Sequence, residues 1–174
     1  MSNFKKMTLK NVELINIYAY INRTEKVINK KGNVEKDENG NEKTYSPTFE
    51  LIKNFNTKAK WAFRVNLKKI EEANKLYEEA LREFQSEYAD DEHSTEEVMK
   101  DEKGNPVKNE QGEEIKTRTV KKEYFDEFQS KYQELLVQEN EINFKIISID
   151  DIEDANPSFA DLEMLSFMID DEDE

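Results

Sequence analysis

The chain has 174 residues and a formal net charge of −14, with hydrophobic residues at 36% and charged residues at 38%, against roughly 45–50% and 25% in an average globular chain. So thin an apolar supply excludes a large single core, and the lack of cysteine excludes a disulfide framework and thiolate chemistry. No apolar run reaches the roughly 18 residues of a membrane span, and Met1-Ser2-Asn3-Phe4-Lys5-Lys6 has no signal-type apolar stretch, so no membrane association and a soluble intracellular protein are expected.

Ten Phe, seven Tyr and Trp61 argue against disorder, because disordered chains are poor in aromatics. Leu9, Val12, Leu14, Ile15, Tyr18, Ile21 and Val27-Ile28 recur at near-helical spacing and predict a first helix over about 9–29. All glycines and prolines fall in three short zones, which leaves 48–103 and 113–156 free of both breakers. Ser46 is suited to accept the first free backbone N–H groups, and Pro47 to occupy the first helical position. From there the sequence predicts one helix to about Tyr88, roughly 65 Å long. Its later half sets Phe63, Leu67, Ile70, Tyr77, Leu81, Phe84 and Tyr88 at alternating spacings of four and three, with Asn74 at the missing step, a seam of coiled-coil type.

A third helix over about 122–138 is predicted from Tyr124, Phe125, Phe128, Tyr132, Leu135 and Leu136. The alternation Ile142, Phe144, Ile146 predicts a short strand, and Pro157 through Leu162, Leu165, Phe167 and Met168 a terminal amphipathic helix, with Ser158 or Asn156 as its cap. Two linkers, Asp37-Glu38-Asn39-Gly40-Asn41 and Asp101-Glu102-Lys103-Gly104-Asn105, have the composition of polar hairpin tips in which glycine takes a positive φ. With Val107, the Gln111-Gly112 turn, Ile115, Thr117, Thr119 and Val120, the second predicts a projecting β-hairpin. We read the echo as shared turn chemistry and not as a repeat. The expected fold is therefore mainly α (α+β): a single elongated helical domain over 1–174, a bundle built on one long helix, with 30–45 and 90–120 as polar hairpin or loop insertions, a short strand, and 170–174 as an acidic tail.

Chemical motifs are sparse. His93, the single histidine, lies in Asp90-Asp91-Glu92-His93-Ser94 with no cysteine or second histidine to complete a triad or zinc site, and reads as a solvated loop residue. Asp37, Asn39 and Asn41 match the first calcium-loop positions, but Glu42 stands where that loop needs glycine and Thr48 where it needs glutamate. Consecutive carboxylates such as Asp150-Asp151 read as a solvated run or a helix N-terminus before a two-metal site. No catalytic residue, metal or cofactor is expected. Lys53, Lys58, Lys60, Arg64, Lys68 and Lys69 surround Trp61, a pattern able to hold phosphate and stack bases. The alternatives are a solvated basic face with Trp61 packed inside, or a patch that receives the chain's own acidic end. Net −14 opposes approach to nucleic acid, so no direct binding is expected.

The charge is confined to one end. Residues 150–174 hold eleven carboxylates and no Lys or Arg, and a single-sign patch sets a field that attracts basic partners. The candidate partner-binding residues are Asp150, Asp151, Glu153, Asp154, Asp170, Asp171, Glu172, Asp173 and Glu174, with Asp90, Asp91 and Glu92 second.

The opening Leu9–Ile21 helix, the long Lys- and Glu-rich helix ending in Tyr88, the 101–105 turn, Phe125-Asp126-Glu127-Phe128 with Leu135-Leu136, Glu141-Ile142-Asn143-Phe144 and the closing Leu162–Ile169 helix resemble, in that order, a family of small acidic proteins of unassigned function encoded by tailed phages of Gram-positive bacteria. The resemblance implies a phage accessory protein in the host cytoplasm and supplies no catalytic residues. The expected function is binding and inhibition of a host or bacterial-defence protein with a basic surface, by an acidic surface that mimics nucleic acid. The alternative is a structural or assembly protein of the phage particle, acting through helix packing or self-association along the Phe63–Tyr88 seam.

Overall fold

The computed structural model describes residues 3–170. Helix accounts for 48% and strand for 23% of the described residues, which form five α-helices and several small sheets. This mixed α+β fold replaces the helical bundle on one long helix expected from the sequence. Contacts divide the chain into two compact units, Met1–Lys75 with Glu139–Glu174, and Leu76–Gln138.

The first unit opens with β1 (Phe4–Lys10) and α1 (Asn11–Ile21) where the sequence predicted one helix. Met7 and Leu9 pack on the core at a period of two, which suits a strand. The Glu13 carboxylate then accepts the Lys10 N–H at 2.7 Å and marks the helix start. The predicted 43-residue helix is also interrupted. Ser46 and Pro47 begin α2 (Pro47–Ile52) as expected, but α3 spans Thr57–Glu87. Between them Phe55 turns into the core at 3% exposure, and the Asn56 side chain starts α3 by accepting the Ala59 N–H at 2.9 Å. A side-chain cap ends one helix and begins another without glycine or proline.

The core of this unit gathers Leu14 and Ile21 of α1, Phe63 and Ile70 of α3, Phe144 and Ile147, Ile152, and Leu165, Phe167 and Met168. Strand β6 (Glu139–Lys145) pairs antiparallel with β1 from Phe4↔Lys145 to Lys10↔Glu139. Its other edge is closed by α3. Asn66, fully buried, donates to the Lys145 C=O at 2.9 Å and accepts its N–H at 2.8 Å, while the Lys69 ammonium donates to the Asn143 C=O. One amide thus does the work of a neighbouring strand. The predicted terminal helix is α5 (Phe159–Leu165), capped by Ser158, whose hydroxyl accepts the Asp161 N–H at 3.2 Å; Asn156 instead takes a left-handed φ of 51°.

In the second unit the later part of α3 packs on α4 (Lys122–Val137). Phe84 meets Phe128 at 4.8 Å between ring centres, and Tyr88 meets Phe128 edge-on at 5.1 Å. Burial, with a hydrogen bond to Tyr132, pushes the Tyr77 hydroxyl up to about 12.

The two polar insertions are copies of one structure, contrary to the reading of shared turn chemistry alone. In the first, between β2 (Glu25–Lys26) and β3 (Thr44–Tyr45), Val27 N–H donates to Lys43 C=O, Lys43 N–H to Glu35 C=O and Glu35 N–H to Val27 C=O, at 2.8–2.9 Å. In the second, between β4 (Ser94–Val98) and β5 (Lys116–Val120), Met99, Ile115 and Val107 close the same ring of main-chain bonds at 2.8–2.9 Å. Each copy holds two tight turns opened by an Asx side chain. Asn29 and Asp37, like Asp101 and Asn109, accept the N–H groups two and four residues ahead at 2.8–3.1 Å. Gly40 and Gly104 supply the left-handed step, at φ 85° and 83°. The module is held by main-chain and Asx bonds, and therefore needs little apolar residue.

Candidate functional site

The acidic segment 149–155 folds as two 3₁₀ turns, Ile149–Asp151 and Glu153–Ala155. Ile152 between them is 1% exposed and anchors them to the core. Asp150, Glu153 and Asp154 are exposed, and among the described residues no ion pair or hydrogen bond engages their carboxylates. Three carboxylates on tight turns around one buried anchor form a fixed anionic surface, and anions there face no compensating cation.

Asp151 is used internally. Its carboxylate pairs with the Lys58 ammonium at 2.6 Å, accepts from the Asn56 side chain at 2.9 Å, and accepts the Ser148 N–H at 3.1 Å. Partial burial pulls this carboxyl up, but the bonds from Lys58, Asn56 and Ser148 outweigh it and hold it below the usual range. Asp161 is similar. It pairs with Arg23 at 3.3 Å and accepts from the Tyr20 hydroxyl at 2.8 Å. Burial raises it, yet the bonds from Ser158, Tyr20 and Arg23 leave it depressed. The Arg23 guanidinium in turn lies 3.6 Å from the centre of the Tyr20 ring and donates to the Thr48 hydroxyl at 2.7 Å.

Asp170 is half-buried, its N–H donating to the Ile147 C=O at 2.8 Å. It lines a cavity of about 220 Å³ with Asn3, Lys58, Lys145 and Ser148. Asp171, Glu172, Asp173 and Glu174 lie outside the described residues.

The second group of acids, in the other unit, is also built into structure. Asp90 accepts both the N–H and the ring Nδ1 of His93 at 2.8 Å, bonds that lower its carboxyl. Asp91 pairs with Arg118 at 3.0 Å. The Asp91 and Glu92 carbonyls each accept from the Lys121 ammonium at 2.7 Å. His93 is no solvated loop residue: it is half-buried, with Tyr88 at 5.4 Å and Tyr124 at 4.6 Å between ring centres. Ligand-type atoms of Asp90, Glu92 and His93 do fall within 4.8 Å of one another, but the bond between Asp90 and His93 accounts for that grouping.

The basic stretch from the end of α2 into α3 is partly consumed. Lys53 pairs with Glu50 at 2.6 Å, Lys58 with Asp151, and Lys69 with the Asn143 carbonyl. Lys58 thus receives part of the chain's own acidic end, as one sequence reading held. Trp61 is 53% exposed and does not pack inside; the Lys145 ammonium sits 4.2 Å from its ring centre. Lys60, Arg64 and Lys68 remain exposed beside it at helical spacing.

Adjacency in the sequence groups the carboxylates without marking which of them are engaged. The signal was present in part: Ser148 three residues before Asp151, and Ser158 three before Asp161, are capping-box spacings that mark the acid as local. The pairing of Asp151 with Lys58 had no such mark. No helix among the described residues is long and apolar enough to cross a membrane. No family model, curated protein or solved structure matches the chain.

Proposed function

We propose that this is a non-enzymatic phage accessory protein that binds a host or bacterial-defence protein through an acidic surface and so blocks the basic groove in which that partner holds nucleic acid. The observation that carries the reading is the unpaired group Asp150, Glu153 and Asp154, displayed around the buried Ile152 at the start of the acidic end. The resemblance in element order to small acidic phage proteins gives the setting. Asp151, Asp90 and Asp91 drop out as principal contacts because their carboxylates are spent on Lys58, His93 and Arg118.

Attraction between such a surface and a basic groove acts mainly on the association rate and weakens with salt. Direct binding to nucleic acid is not expected at net −14. The test is affinity capture from bacterial lysate with the wild-type chain and with Asp150→Asn, Glu153→Gln, Asp154→Asn combined. A partner held by the wild type at about 0.1 M salt and lost by the variant supports the reading; equal capture by both contradicts it.

A further inference from the structure

We propose that Asn39 is a site of covalent self-modification, converting to isoaspartate by attack of the Gly40 main-chain nitrogen and thereby loosening the first polar insertion but not the second. Asn39-Gly40 is the single Asn-Gly step in the chain, and asparagine is among the thermally labile residues. Glycine has no Cβ to obstruct approach to the neighbouring side chain. The structure places this pair where the reaction can run. Both residues are exposed, and a Cβ added at Gly40 would meet no atom within 4 Å, so the tip has room to turn. No hydrogen bond among the described residues engages the Asn39 side-chain amide. The Gly40 N–H donates to the Asp37 C=O at 3.1 Å, a bond at an exposed turn of the kind that opens at little cost.

In the step itself the Gly40 nitrogen gives its proton to solvent base and bonds to the Asn39 side-chain carbonyl carbon, while the bond from that carbon to the amide nitrogen breaks and ammonia leaves. The resulting five-membered imide takes up one water. Opening at its main-chain carbonyl leaves isoaspartate, and opening at its side-chain carbonyl leaves aspartate. Either way an uncharged amide becomes a carboxylate, and nothing is oxidised or reduced. Isoaspartate inserts one further carbon into the main chain between residues 39 and 40. That displaces Asn41 from Asp37, whose carboxylate accepts the Asn41 N–H at 2.9 Å and whose own N–H donates to the Asn41 C=O at 2.8 Å. The twin turn is an internal control. There Gln111-Gly112 occupies the same place, with Gly112 at φ 83° against 85° for Gly40 and its N–H on the Asn109 C=O at 3.0 Å. Glutamine must close a six-membered ring and immobilise one more rotatable bond, so the same turn geometry reacts slowly there.

The test incubates the full folded chain at neutral and at mildly alkaline pH and follows every Asn and Gln by digestion and mass spectrometry, with isoaspartate identified by methyl transfer with an isoaspartate methyltransferase. Asn39 is expected to convert at least tenfold faster than any other side-chain amide, and faster at the higher pH because the attacking nitrogen must lose its proton. In the converted chain the Asp37 and Asn41 amides should exchange at least tenfold faster, while those of Asn109 and Glu113 are unchanged. Asn39→Gln should abolish the conversion, and Gln111→Asn should create a second site of comparable rate. Asn39 left intact in the folded chain while the urea-unfolded chain converts, conversion no faster at Asn39 than elsewhere, or a Gln111→Asn chain that converts at residue 39 alone overturns the proposal.

Discussion

Asn66 sits where a polar side chain is costly unless both halves of its amide are matched, and there both are matched by the main chain of Lys145. Asn66→Ala removes these bonds and strands a buried N–H and C=O, each costing about 1–3 kcal/mol. We expect a loss of roughly 2–4 kcal/mol in urea unfolding; a loss below about 0.5 kcal/mol means the edge of β6 does not depend on this residue. Asp161 gives a pH signature. Its carboxyl is depressed in the folded chain, so its stabilisation is present above the ordinary carboxylate range and drains away as pH falls below about 4. Asp161→Asn should lower the thermal midpoint at pH 7 and flatten its fall between pH 5 and pH 2. A wild-type slope retained by the variant assigns the acid sensitivity to other groups.

At the scale of elements, the twin insertions are held together locally, and their response to substitution should be local too. No atom lies within 4 Å of a Cβ added at Gly104, so only its φ of 83° resists a side chain. A β-branched residue is strained there, by about 1–2 kcal/mol. Gly104→Val is expected to speed exchange of the Val107 and Ile115 amides roughly tenfold while helix content is unchanged; a global loss of stability contradicts a self-contained module. Much of this level was legible from the sequence. Ser46-Pro47, Ser158 and the Gly40 and Gly104 turns carry their geometry in local chemistry, and α4 announces itself by periodicity. Two features were not legible. The break at 53–56 depends on Asn56 capping α3 and on Phe55 finding the core. Strand β1 was hidden because Leu9 fits both the inward face at the end of a strand and the first turn of a helix. The duplication is legible in the Asx-x-x-Gly turns that begin eight residues apart in each insertion, at Asn29 and Asp37 and again at Asp101 and Asn109; setting Asp37 beside Asp101 aligns the second turn of one copy with the first of the other and conceals it.

For the molecule as a whole, net −14 with eleven carboxylates in residues 150–174 is the property that most constrains its partners. The sequence located that charge but not its division of labour. Asp151 and Asp161 tie the acidic end to Lys58 and Arg23, and Asp150, Glu153 and Asp154 stay exposed, with no ion pair among the described residues. Such a division emerges only once the fold brings α3 against the 3₁₀ turns, because attraction between charges 93 residues apart in sequence leaves no trace in local spacing. The most direct measurement is the association rate of the captured partner as ionic strength rises from about 0.02 to 0.2 M, a range over which the Debye length falls from roughly 20 to 7 Å. Recognition through these carboxylates requires at least a tenfold fall for the wild type and a much shallower one for the Asp150, Glu153 and Asp154 triple variant. A rate that is independent of salt, or identical salt dependence in both chains, contradicts it.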